Sequence, residues 1–272
     1  MPISDKHKLL FFTVANKKYY KFVPLYIFFA LSYNPDSDIE IVVEDVEDFF
    51  SIHGPALDYI DNNFSSKIKI RGSDLFGKIK PHTIRFLEEP ESTEYTHVYI
   101  GDVDILILEH DILGLHLSHM DKNNLSFSNI VRPKTVADKY PRLTGCHFAP
   151  KEIQYPIPSL SDLDIKNFND ERILHEILKR KGVFISVENK YRPIHGLHIS
   201  PNRKVVDSTR PSWNVNNNKY MTELLSVSSS AQFKEYYHRL DVSSKSYLLI
   251  LEYLALNRDD ELNQFIVDHF SI

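Results

Sequence analysis

Apolar and polar positions along the chain alternate between two periods. Leu9-Leu10-Phe11-Phe12-Thr13-Val14-Ala15 is apolar but for Thr13 and reads as a buried strand. Tyr19 to Ser32 is apolar and long enough for a helix, and Asn34-Pro35-Asp36 breaks it. Ile39 to Val43 is a second strand. Pro55 to Phe64 spaces Leu57, Ile60 and Phe64 for one helix face, and Lys67 to Ile70 alternates as a short strand. Ile79 to Leu87 predicts a helix and His97 to Ile100 a strand. This alternation of strand and helix points to an α/β fold with a mostly parallel central sheet flanked by helices. Ligands of such sheets bind beyond the carboxyl ends of the strands.

Residues 111 to 160 are less regular. Pro133, Pro141, Pro150, Pro156 and Pro158 punctuate them, with Ser126 to Val131 and Leu143 to Phe148 as candidate strands. Asn169 to Lys181 predicts a helix, capped by Asn169 or Asp170, and Val183 to Val187 a strand. From Lys219 onward the pattern is helical: Tyr220 to Leu225, Ala231 to Leu240, Ser243 to Leu256 and Glu261 to Phe270. Residues 1–215 therefore form the expected α/β domain, and 216–272 a helical C-terminal extension packed on it. Its aromatics Phe233, Tyr236, Tyr237, Tyr247 and Tyr253 are expected to pack against that domain, which leaves its outer face for an acceptor, a protein partner or a membrane surface.

Composition narrows the chemistry. A net charge of −5 without a long basic block disfavours a nucleic-acid partner. The single cysteine, Cys146, allows no intrachain disulfide and fits a reducing compartment. Met1 to Lys8 lacks the order of a signal peptide, and Phe22 to Leu31 is too short to span a bilayer. The expectation is a cytoplasmic protein, with peripheral attachment to the inner membrane face left open.

Asp102-Val103-Asp104 interrupts the apolar stretch from His97 to Leu108. Two acids there are costly unless something compensates them. Hard cations such as Mn²⁺ or Mg²⁺ prefer carboxylate and phosphate oxygens, so a metal holding a diphosphate is a natural compensator. Acid-x-acid alone is a weak signal, and solvated loop acids are the plain alternative.

Arg85-Phe86-Leu87, a following strand and Asp102-Val103-Asp104 together resemble the nucleotide-diphospho-sugar glycosyltransferases of the GT-A (Rossmann-like) fold. In layout the chain is most similar to the glycogenin-like, family 8, retaining branch. The resemblance implies a nucleotide-binding turn after the first strand, where Thr13, Ala15, Asn16 and Tyr19 would hold the base. It places Arg85, Asp102 and Val103 on the donor. It matches Asn169-Asp170-Glu171-Arg172 to the family's Asp-Gln-Asp stretch, with Glu171 at the amide and Arg172 at the second acid, and so makes Asp170 or Glu171 the catalytic acid. It matches His198-Ile199 and Lys204 to a histidine followed six positions on by lysine. Asp102, Asp104 and His198 would then ligate the metal, with His195 as the alternative, and Lys204 or Arg203 would meet the diphosphate. Thr144, Gly145 and His147 would line the sugar pocket. The implied activity is metal-dependent transfer of a hexose from a nucleotide sugar, such as a UDP-sugar, to a glycan or lipid-linked glycan in lipopolysaccharide or capsule assembly. The rivals are nucleotidyl or phosphoryl transfer, which would want a glycine-rich phosphate loop or more acids, and a non-catalytic module on the same fold.

Overall fold

The structure is a computed structural model and describes residues 7–132, 141–186, 189–199 and 218–257. The strands are β1 (Leu9–Ala15), β2 (Asp38–Val43), β3 (Ile68–Arg71), β4 (His97–Ile100), β5 (Ile105–Ile107), β6 (Val131–Arg132), β7 (Arg142–Leu143), β8 (His147–Pro150) and β9 (Gly196–His198). The helices are α1 (Val23–Tyr33), α2 (Val46–Asn63), α3 (Pro81–Ile84), α4 (Ile112–Asn123), α5 (Lys151–Gln154), α6 (Asp170–Arg180), α7 (Asn218–Ser228), α8 (Ala231–Arg239) and α9 (Val242–Asn257), with a 3₁₀ turn at Lys17–Phe22 before α1. The main sheet runs β3-β2-β1-β4-β8. Its first four strands are parallel, and β8 adds an antiparallel edge. This is the expected α/β architecture with a mostly parallel sheet and flanking helices.

Several expected boundaries shift for local reasons. The first helix begins at Val23, because Pro24 fits only the opening turn of a helix. Every residue of α1 but Ser32 is buried, so it lies as a core helix under the sheet. The second helix starts nine residues before Pro55 and carries that proline inside it. Asp45 caps it by accepting from the Asp48 N–H at 3.1 Å, and Glu47 and Asp48 favour its first turn. Its buried stripe is Phe49, His53, Ala56, Leu57 and Ile60, a 3.6-residue repeat that outweighs one missing hydrogen bond. The helix expected over Ile79 to Leu87 shrinks to α3, since Pro81 holds Lys80 extended.

Within 111–160 the sequence pattern misses α4. Its buried positions are Ile112, His116 and Met120, and a histidine in the middle hides the stripe. The strand expected over Ser126 to Val131 survives only at Val131, besides a bridge from Ser128 to Phe148. Leu143 to Phe148 divides between β7 and β8, with Thr144–Cys146 as a bend. Val183 to Ser186 is not a strand, and Val187 lies outside the described residues. So does the helix expected over Glu261 to Phe270.

The C-terminal helices share the core of the α/β layers. Tyr236 stacks on Phe28 at 4.4 Å and donates its hydroxyl to the Pro24 carbonyl at 2.7 Å. Tyr247 meets Phe22 edge-on at 4.9 Å, and the Ser244 hydroxyl donates to the Lys21 carbonyl at 2.8 Å. No helix among the described residues is long and apolar enough to cross a membrane.

Histidines are built into the interior. His116 stacks on Phe148 at 4.6 Å and 5.4 Å from His195, with its Nδ1 2.8 Å from the Ser128 hydroxyl. Burial, reinforced by Arg192, pulls His147 and His195 each down to about 3. An unfolded chain binds these protons near pH 6.5, so stability is present above that pH and is lost as pH falls toward 3. Urea unfolding between pH 6 and 5 should lose about 1.4 kcal/mol per pH unit for each histidine. A flat profile over that range would contradict their neutral burial.

Candidate metal and nucleotide site

β1 and β4 run parallel and in register, Phe12 beside Ile100, so both deliver their next residues to one sheet edge. After β4 the chain turns at once: the Ile105 N–H donates to the Asp102 carbonyl at 3.2 Å, which closes a tight turn over Asp102–Ile105. β5 then pairs antiparallel with β9, placing Ile105 opposite His198. The Ile199 N–H donates to the Asp104 carbonyl at 2.8 Å. Gly196 permits this approach, since a Cβ there would lie 1.7 Å from the Leu106 carbonyl oxygen.

The pairing brings His198 Nε2 to 3.6 Å from Asp104 Oδ1. One ligand atom each of Asp102, Asp104 and His198 lie within 4.8 Å of one another. Two carboxylate oxygens and one imidazole nitrogen form a donor set suited to a divalent cation. His195, the alternative, is fully buried in the core, edge-on to Tyr99 at 4.7 Å. The geometry groups His198, and not His195, with the acids.

Arg85 follows α3 and is buried against the same acids. Its Nη1 donates to Asp102 Oδ1, and its Nη2 to Asp170 Oδ2 at 3.1 Å. Burial disfavours the charged guanidinium, but the two carboxylates more than offset it and raise its pKa. Gly145 lies directly against this ion cluster: a Cβ there would stand 2.5 Å from Arg85 Nη2. The site opens into a cavity of about 410 Å³. Val14, Asn16 and Tyr19 line it from the end of β1, Pro81, His82 and Arg85 from α3, Asp102, Val103 and Asp104 from the turn, and His198 from β9.

The remaining site candidates fall elsewhere. Thr13 is buried, with its hydroxyl donating to the Gly101 carbonyl at 2.8 Å, and Ala15 packs in the core. Thr144 hydrogen-bonds Asn129 Oδ1 through its N–H at 3.0 Å and its hydroxyl at 2.6 Å. His147 is fully buried beside Asn129, 3.2 Å from its Nδ2. Neither Thr144 nor His147 lines the cavity, so of these three sugar-pocket candidates only Gly145 adjoins the ion cluster. Arg203 and Lys204 lie outside the described residues. Among the lining residues, Val14, Pro81 and His82 escaped the sequence reading. His82 stands one helical turn before Arg85, and that spacing is the signal that would have found it.

α6 separates its two acids. Asn169 caps the helix by accepting from the Glu171 N–H at 2.8 Å. Asp170 turns to Arg85. Glu171 turns to Arg132 Nη1 at 3.1 Å and Arg142 Nε at 3.3 Å, the cross-strand neighbours of β6 and β7. Like charges directly opposite repel, and Glu171 relieves them. Its carboxylate is thus a clamp on this ladder. Glu171→Gln should cost about 1 kcal/mol in urea unfolding, since an amide still accepts these hydrogen bonds, and leave Mn²⁺ affinity unchanged by calorimetry. A large loss of metal affinity would place Glu171 with the metal ligands instead.

The parallel sheet, the turn beyond its carboxyl edge and the helical cover match the GT-A fold of solved glycosyltransferases. The galactosyltransferase LgtC, solved in complex with donor and acceptor sugar analogs, superposes with a TM-score of 0.50 at 12% identity, over 86% of this chain and all (100%) of that one. An active-site mutant of LgtC gives 0.48 at 11% identity, over 84% and 99% of the two chains. The glycosyltransferase GlyE of Streptococcus pneumoniae TIGR4 gives 0.44 at 13% identity, over 64% of this chain. The chain spans 44% of the length of GlyE. No family model matches the sequence, and no curated protein matches it.

Proposed function

We propose that this chain is a metal-dependent glycosyltransferase that moves a sugar from a nucleoside-diphosphate donor, a UDP-sugar, to a glycan acceptor. The observation that carries this reading is the convergence of Asp102, Asp104 and His198 with Arg85 on one cavity at the carboxyl edge of a parallel sheet. That edge is where open α/β sheets bind ligands, and about 410 Å³ lies within the range of small-molecule sites.

Asp102, Asp104 and His198 would hold Mn²⁺ or Mg²⁺. The bound ion would supply Lewis-acid neutralisation of charge on the departing diphosphate. Asn16 and Tyr19, at the β1 end of the cavity, would receive the nucleoside by hydrogen bonding and stacking. Arg85 holds Asp102 and Asp170 aligned around it through one hydrogen bond to each. Lys204 or Arg203 would add positive charge at the diphosphate. Asp170, across Arg85 from Asp102, is the acid assigned to the transferring sugar, either stabilising an oxocarbenium-like centre or taking the acceptor proton. The family layout favours retention of configuration. A glycan or lipid-linked glycan of surface polysaccharide is the proposed acceptor, reached from the cytoplasm.

The test is release of UDP from a panel of UDP-sugars with Mn²⁺, paired with calorimetry of UDP binding with and without the ion. Metal-dependent binding and turnover support the reading. A wild-type chain that binds no nucleotide in the presence of Mn²⁺ overturns it.

A further inference from the structure

One wall of the cavity has an exposed side chain that the reading above leaves without a task. Segment 75–87 carries Lys78, Lys80, His82 and Arg85 and no acidic residue. Arg85 is engaged by Asp102 and Asp170. His82 is exposed and lines the cavity; Lys78 and Lys80 are exposed on the chain leading into α3. The Asp102–Asp104 turn and His198 line the same cavity. The cavity therefore has the two carboxylates on its turn and the His82 imidazole on its rim. A ligand that answers both must carry cationic character toward the acids and oxyanions toward the rim. A divalent ion chelated by a diphosphate has that polarity.

We propose that His82 donates a ring N–H hydrogen bond to a phosphate oxygen of the donor's diphosphate. This rests on the nucleotide-donor reading above. The imidazole keeps an N–H donor in either protonation state, so the contact does not depend on a charged ring. An exposed imidazole gives up little hydration when empty and gains a charge-assisted bond when the diphosphate is seated. His82 would thus be a positioning residue for the leaving group.

The experiment compares wild type with His82→Ala and His82→Asn. Calorimetry measures UDP, UMP and inorganic pyrophosphate, each with saturating Mn²⁺, and Asp104→Ala serves as the control that removes metal-dependent binding. Thermal melting checks that an exposed substitution leaves folding intact. His82→Ala should weaken UDP and pyrophosphate alike by about tenfold, with UMP affected less. His82→Asn, which keeps an N–H, should lose less than His82→Ala. In turnover, the donor KM should rise by the same factor with the acceptor KM unmoved. If UDP weakens but pyrophosphate does not, His82 meets the nucleoside and the assignment fails. A rise confined to the acceptor KM places His82 at the acceptor and overturns the assignment as well. Wild-type binding with no change in either variant sinks the His82 proposal alone. No binding of UDP by wild type sinks the donor reading and this proposal with it.

Discussion

Asp104→Ala should abolish Mn²⁺-dependent nucleotide binding and lower transfer by about 10³-fold or more. Asp104 is 5% exposed and supplies one of three candidate ligands, with His198 Nε2 3.6 Å away. Lewis-acid stabilisation of a departing diphosphate contributes several kcal/mol, and each ~1.4 kcal/mol is tenfold in rate. The stability readout carries the opposite sign from a structural role. Without metal, Asp104 and Asp102 are like charges on one tight turn, so removing one should change apo stability little. With Mn²⁺ at about 100 times its dissociation constant, wild type should gain ~2.7 kcal/mol, and the variant should gain nothing. A variant that still melts higher with Mn²⁺ would remove Asp104 from the metal set. An apo chain strongly destabilised by the substitution would make it a structural acid.

The acid pair was legible because it interrupts an apolar run, where an uncompensated charge is costly. The parallel order was legible because strands and helices alternate along the chain, as parallel neighbours joined by helical crossovers do. His198 was legible only through the family resemblance, with His195 left as its alternative. His195 and His198 are three residues apart and both sit among apolar neighbours, and it is the register of Ile105 against His198 that puts His198 beside the acids. That register is a long-range fact, set by Gly196 and the pairing of two short strands. The roles of Asp170 and Glu171 were hidden for the same reason. Adjacent residues in the first turn of a helix point in different directions, and their partners, Arg85 on one side and Arg132 and Arg142 on the other, come from distant segments. The α4 stripe escaped because His116 reads as polar in sequence and is apolar in use: burial holds its ring well below the ordinary histidine pKa, and it stacks on Phe148.

Arg85→Met should destabilise the apo chain by about 3–5 kcal/mol, the scale for removing one partner from a buried ion cluster. Arg85 is 4% exposed and bridges Asp102 to Asp170, so the variant leaves two carboxylates with their cation gone. Mn²⁺ should recover part of the loss, because an ion on Asp102 replaces one of the two missing contacts and leaves Asp170 bare. Arg85→Lys should fall between the two, since one ammonium cannot reproduce a guanidinium fork that reaches two acids. Gly145→Ala should mimic the defect without touching the charge, because its Cβ would stand 2.5 Å from Arg85 Nη2 and push the fork off Asp170. Urea unfolding of the four proteins, with and without Mn²⁺, separates these effects. A loss below about 1 kcal/mol for Arg85→Met would mean that water, and not the guanidinium, compensates the acids, and the cluster could not then hold Asp170 in place for the sugar.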